Sequence, residues 1–223
     1  LASLARSSVV VALSKVVPRH DRIPRRVRTR IARTGVAPLE RTRSKARARA
    51  MSSLITARLA QERKDWRKDP PHGFIAKPST KKDKNGDTTT DLTVWNCAIP
   101  GKADTPWAGG SYPLRVEFGN DYPAKPPRVA FPAGFFHPNV YPTGKVCLSI
   151  LNEDKGWKPS VSIKQILIGV QDLLDSPNMS DPAQQEAYDQ LRRSKATYLK
   201  RIKEQAKKFG SASGGSGDEI IVL

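Results

Sequence analysis

Cysteine and histidine are scarce in this chain. Its 223 residues hold two cysteines, Cys97 and Cys147, and three histidines, His20, His72 and His137, with no CxxC pair among them. Neither a structural zinc site nor a disulfide scaffold is expected from so few ligands at such spacing. Long apolar runs are missing too: VVVAL at 9–13 falls far short of the roughly 20 apolar residues that span a bilayer. No secretory signal is seen, and the expectation is a soluble protein in a reducing cytosolic or nuclear setting.

Residues 1–50 lack Phe, Trp and Tyr altogether, and set 2 Asp/Glu against 14 Lys/Arg. Of the formal net charge of +18, this segment carries +12 and residues 51–223 only +6. A stretch so basic and so poor in aromatics cannot bury enough apolar surface to offset its conformational entropy, so it is expected to be a disordered extension. Three readings compete for it: an Arg-rich transit peptide, a nucleic-acid-binding arm, or sequence upstream of a true start at Met51. The last is favoured, because MSSLITARLAQERKDW reads as a clean beginning whereas RTRSKARARA has no helical stripe. The expected folded domain is 51–210.

From Ser53 the spacing of Leu54, Ile55, Leu59 and Trp66 predicts a helix that Pro70-Pro71 stops. GFIAKP and DLTVWNCAIP flank the turn signal Asn85-Gly86 and predict two antiparallel strands. SYPLRVEF (111–118) alternates, PPRVAF (126–131) is a further short strand, and together they make a four-stranded meander. Ser162-Ile163-Lys164-Gln165 is a capping box ahead of one apolar stripe: Ile163, Ile166, Leu167, Val170, Leu173, Leu174. Asp181-Pro182 reads as a helix cap followed by Pro at the first helical position, with a last basic helix from about Ala183 or Gln190 to Phe209. Strands followed by helices give an α+β class with helices to one side of the sheet. Residues 211–223 read as a Gly/Ser linker and an acidic-aliphatic tail, DEIIVL.

A lone cysteine is commonly a small buried hydrophobe, and Cys97 in VWNCAIP is assigned that role. Cys147 differs, because it follows the Pro- and Gly-punctuated segment HPNVYPTGKV and sits near Lys145. His137 is ten residues away and is assigned to holding the loop, which leaves no evident base for a Cys–His hydrolase. A thiol without a base suits thioester exchange: thiols are acidic enough that attack and departure are both feasible near neutral pH. Such a site needs a donor for the developing oxyanion and a means of rendering an attacking amine neutral.

HPNVYPTGKVCLSIL (137–151), NDYPAKPPRVAF (120–131) and WKPS leading into IKQILIGVQDLL resemble the ubiquitin-conjugating enzyme family across 51–210. ARLAQERKDWRKDPPHGF, NCAIPGKADTPWAGG, NEDKGWKPS and DPAQQEAY are similar to its SUMO-conjugating branch. The resemblance implies the ubiquitin-conjugating-enzyme-like fold, with an N-terminal helix, a four-stranded antiparallel meander and C-terminal helices. It implies that Cys147 forms the thioester, Asn139 stabilises the oxyanion, and Tyr141 and Asp181 flank the incoming lysine. No metal or nucleotide cofactor is implied. SUMO, an ATP-using SUMO-activating enzyme, SUMO ligases and substrates carrying an apolar-Lys-x-acid motif are the implied partners, in the nucleus with some cytoplasmic presence. Arg128 and Thr143 match the residues that receive the motif's acid. Ala130 departs from the family's usual second Lys, and Lys145 stands where a hydroxyl residue is common. Arg63, Lys64, Arg67 and Lys68 on the first helix resemble the surface that meets the activating enzyme and binds SUMO noncovalently. A ubiquitin-conjugating enzyme is the alternative, and a basic nucleic-acid-binding protein a weaker one, since the domain has no binding motif of that kind. The DEIIVL tail resembles a SUMO-interacting motif.

Overall fold

The structure, a computed structural model, describes residues 37–210. The 211–223 linker and tail, and the first 36 residues of the basic extension, lie outside the described residues.

Among the described residues eight regular elements follow in order, with a short 3₁₀ turn at Ser149–Leu151. They are α1 (Ala37–Lys68), β1 (Ile75–Lys82), β2 (Thr88–Pro100), β3 (Ser111–Glu117), β4 (Arg128–Ala130), α2 (Ile163–Asp175), α3 (Gln185–Arg193) and α4 (Lys195–Gly210). The four strands form one antiparallel meander in the order β1-β2-β3-β4, as the sequence predicts. The hairpin between β1 and β2 turns at Gly86, whose φ of 87° an L side chain rarely adopts, and Asp83 accepts the backbone N–H groups of Asn85 and Asp87. β3 alternates as its spelling requires, burying Tyr112, Leu114 and Val116. β4 is shorter than 126–131, because Pro126 and Pro127 have no N–H to give a ladder, while the Phe131 N–H turns to the Gly144 carbonyl at 2.9 Å.

α2 fits its sequence closely. Ser162 and Gln165 form the reciprocal capping box, and the six residues of the apolar stripe are its six buried residues. It packs with α1 against β2, where Trp95, Cys97 and Ile99 are fully buried, and α4 covers β3.

Four details differ from the sequence expectation. The first helix begins at Ala37, so residues 37–50, expected to be disordered, form its leading part. Within it Leu54 is 62% exposed and Glu62 is buried. Glu62 takes the inward position because its carboxylate accepts the N–H of Ile163 at the start of α2 (3.0 Å) and pairs with Arg58 (2.7 Å). The last basic helix is two, broken at Ser194, whose hydroxyl accepts the Thr197 N–H. Asp181 caps neither; the N-cap position of α3 is Gln184.

Candidate functional site

The segment around Cys147 folds back on itself. Val140 and Val146 bridge as antiparallel partners, the Tyr141 N–H donates to the Lys145 carbonyl (2.9 Å), and the Gly144 N–H donates to Tyr141 (2.8 Å). Gly144 holds φ 86°, and a Cβ there would strike the Phe131 carbonyl. Glycine is therefore required twice over, by conformation and by space. Closing the turn, the Cys147 N–H donates to the Asn139 carbonyl (2.8 Å), so thiol and asparagine share one rigid frame.

The Asn139 side chain is buried and spends its amide on the segment between α2 and α3. Its Oδ1 accepts the Asn178 N–H (2.8 Å), and its Nδ2 donates to the carbonyls of Asn178 (2.8 Å) and Asp181 (3.2 Å). The same segment is fastened again where the Ala183 and Gln184 N–H groups reach the Pro138 carbonyl. Asn178 is a site residue that sequence reasoning missed; only the fold reveals that a backbone about forty positions away fills the Asn139 amide.

His137 holds the loop as expected. Its Nδ1 accepts the Asn139 N–H (3.0 Å), and burial lowers its pKa to about 4, so it is neutral and no base for the thiol. Cys147 is half-buried and Tyr141 is 42% exposed beside it, whereas Cys97 is fully buried and burial drives its thiol pKa up. Of the two cysteines, one is sealed in the core and the other reaches the surface. The Asp181 carboxylate points outward, 2.9 Å from the ammonium of Lys155. Lys155 lies in the NEDKG loop, which the sequence reading singled out without assigning it a role.

Arg128, Ala130 and Thr143 line one shallow groove of about 200 Å³ with Arg115, Glu117 and Phe131. Glu117 binds Arg115 (2.7 Å) and reaches Arg128 at 4.0 Å. Lys145 is the β-bridge partner of Ala130 and is exposed. Opposed residues stand about 5 Å apart, so a lysine at either position brings its charge to the same patch. On α1, Lys64, Arg67 and Lys68 are exposed and Arg63 is half-buried. The structure therefore groups Cys147, Asn139, Tyr141 and Asp181, places Arg128, Thr143 and Lys145 in the adjoining groove region, and leaves the α1 cations as a separate surface.

Residues 58–206 match the family described as ubiquitin-conjugating enzyme. SUMO-conjugating enzyme SCE1 of Arabidopsis thaliana is 56% identical over 158 residues, which cover 71% of this chain and 96% of that protein. Sumo-conjugating enzyme ubc9 of Dictyostelium discoideum is 55% identical over 159 residues, covering 71% of this chain and 98% of the relative. SUMO-conjugating enzyme UBC9 of Caenorhabditis elegans is 55% identical over 161 residues, covering 72% and 95%.

Proposed function

The chain belongs to the ubiquitin-conjugating enzyme family, and from that membership we propose that it is a SUMO-conjugating enzyme working through Cys147. The observation that carries the reading is the frame joining Cys147, Asn139 and the Asp181 segment, found in a chain whose relatives at 55–56% identity are named for SUMO conjugation. Those names favour SUMO over ubiquitin, and nothing comparable supports a nucleic-acid binder.

In the loading step the Cys147 thiolate attacks the thioester carbonyl of SUMO held on its activating enzyme, and the enzyme's cysteine departs as thiolate. In discharge a neutral lysine Nζ attacks the Cys147 thioester. The tetrahedral oxyanion collapses, the Cys147 thiolate leaves, and the amine gives its proton to solvent as the isopeptide forms. Asn139 acts twice: it orders the Asp181 segment, and it donates to the oxyanion when Nδ2 gives up its longer bond, the 3.2 Å contact with Asp181. A carboxylate favours an ammonium, so Asp181 positions the lysine while Tyr141 and the adjoining apolar walls desolvate it. The groove with Arg128 and Thr143, joined by Lys145, receives the acid of an apolar-Lys-x-acid motif, and Arg63, Lys64, Arg67 and Lys68 meet the activating enzyme. SUMO ligases and a nuclear, partly cytoplasmic setting belong to the same reading.

Incubation with SUMO-activating enzyme, ATP and either SUMO or ubiquitin tests it. A thioester that reducing agent cleaves is expected with SUMO alone; loading by ubiquitin alone would overturn the assignment.

A further inference from the structure

Two anchored loops are joined by an ion pair, and one of them is bonded to the Asn139 that shares a turn with Cys147. On one side the loop 152–157 is tied down by the Asn152 carbonyl, which accepts the N–H groups of Lys155, Gly156 and Trp157 at 3.3, 3.1 and 3.0 Å. Trp157 is buried and donates its indole N–H to Pro123 (2.9 Å). On the other side Asn139 and Pro138 fasten the segment 178–184. Lys155 Nζ crosses from the first loop to Asp181 Oδ2 on the second.

We propose that Lys155 occupies the acceptor-lysine subsite of the resting enzyme as an internal ammonium that a substrate lysine must displace from Asp181. The inference rests on the reading of Asp181 given above. The carboxylate oxygen that would meet an incoming ammonium already holds one, on a side chain of the same chemistry as the substrate's. A second ammonium on the same carboxylate repels the first, so Lys155 opposes acceptor binding whether or not it leaves completely. Asp181 raises the Lys155 pKa through the hydrogen bond and its charge, and Cys147 and Tyr141 add smaller effects of the same sign, which places the ammonium within electrostatic reach of both. The pair is no structural staple: the side chains are 58% and 53% exposed, so the bond is weak enough to be exchanged in each cycle. Lys155 is therefore a specificity residue. Acceptors with further contacts, such as an acid in the Arg128 groove, displace it at lower concentration than lysines without them.

Discharge of pre-formed Cys147~SUMO thioester to free L-lysine, over a range of lysine concentrations, tests the inference in the full chain. Lys155→Met should lower the half-saturating lysine concentration by roughly two- to five-fold, the size expected for release of an exposed ion pair, with the maximal rate unchanged. Lys155→Arg, which keeps the pair, should behave as the parent or bind lysine more weakly. The gain should vanish in the Asp181→Asn background and shrink as salt is raised. An unchanged or higher half-saturating concentration in Lys155→Met, with Asp181→Asn itself impaired, overturns the inference and leaves the role of Asp181 standing. Normal lysine saturation in Asp181→Asn overturns both.

Discussion

Cys97 and Cys147 are the same side chain in opposite settings: one sealed in the core beneath α2, the other half-buried at the end of a rigid turn. Cys147→Ser is expected to give a SUMO ester that resists reducing agent, or no adduct, while Cys97→Ser still loads; electrophoresis with and without thiol reads the difference. In the proposed mechanism Asn139 separates loading from discharge. Asn139→Ala should charge and then transfer slowly, by about 2.7–4 kcal/mol, or on the order of 10²–10³ in single-turnover rate, if the oxyanion bond matters as in comparable sites. Its ordering role adds a second readout: amide exchange of residues 176–182 should quicken in Asn139→Ala and stay closer to the parent in Asn139→Asp, which keeps the acceptor for the Asn178 N–H. Asp181→Ala, which loses a positioning contact, should raise the half-saturating concentration of free lysine more than Asn139→Ala does. Equal effects on saturation would mean that they do not divide the work in this way.

At the scale of elements, the turn before Cys147 depends on Gly144. Gly144→Ala forces an L residue to φ 86° and drives its Cβ into the Phe131 carbonyl. The left-handed conformation alone costs about 1–2 kcal/mol, so a lower melting temperature and loss of loading are expected together. Glu62 offers a contrasting test far from the thiol. Glu62→Ala leaves the buried Ile163 N–H without its acceptor and should destabilise the fold by about 1–3 kcal/mol in urea titrations, with the thioester still formed by the folded fraction. α2 was fully legible because its information is local: a capping box and a stripe at helical spacing name its start and its buried face. β3 was legible for the same reason, its alternation having a single solution. Glu62, Asn178 and Lys155 were not, since each is placed by a partner in a distant segment, and nothing in the surrounding residues distinguishes a buried carboxylate from a solvated one. Leu54 shows the reverse: it stands beside the buried Ile55 on α1 but on the side turned away from the core. The break at Ser194 is subtler: its hydroxyl satisfies the Thr197 N–H, so a sequence with continuous helical composition folds as two pieces.

Over the whole molecule, His137 ties acid stability to the frame around Cys147. Its ring is completely buried, its Nδ1 holds the Asn139 N–H, and Asn139 holds the segment that carries Asp181. Burial lowers the folded-state pKa from the ordinary 6.5 to about 4, so between those values the unfolded chain binds a proton that the folded chain refuses. Stability from this group is full above about pH 6.5, where the unfolded ring is also neutral, and is lost as pH falls toward 4. The total loss is about 3 kcal/mol, one pKa unit being worth about 1.4 kcal/mol. Asp91 acts in a separate window. Burial pushes its carboxyl up, but the bonds from Lys81 and Thr93 hold it down at about 2, so its contribution fades only below its ordinary value of 3.8. Urea midpoints should therefore decline from pH 6.5 to 4, well before Asp91 titrates, and His137→Gln should flatten that decline while lowering stability at neutral pH. Because the variant's own packing loss complicates the comparison, the ring can be followed directly in the parent by NMR. His137 is expected to remain neutral until the pH approaches 4, and a ring titrating near 6.5 in the folded protein would remove the link between this histidine and acid unfolding.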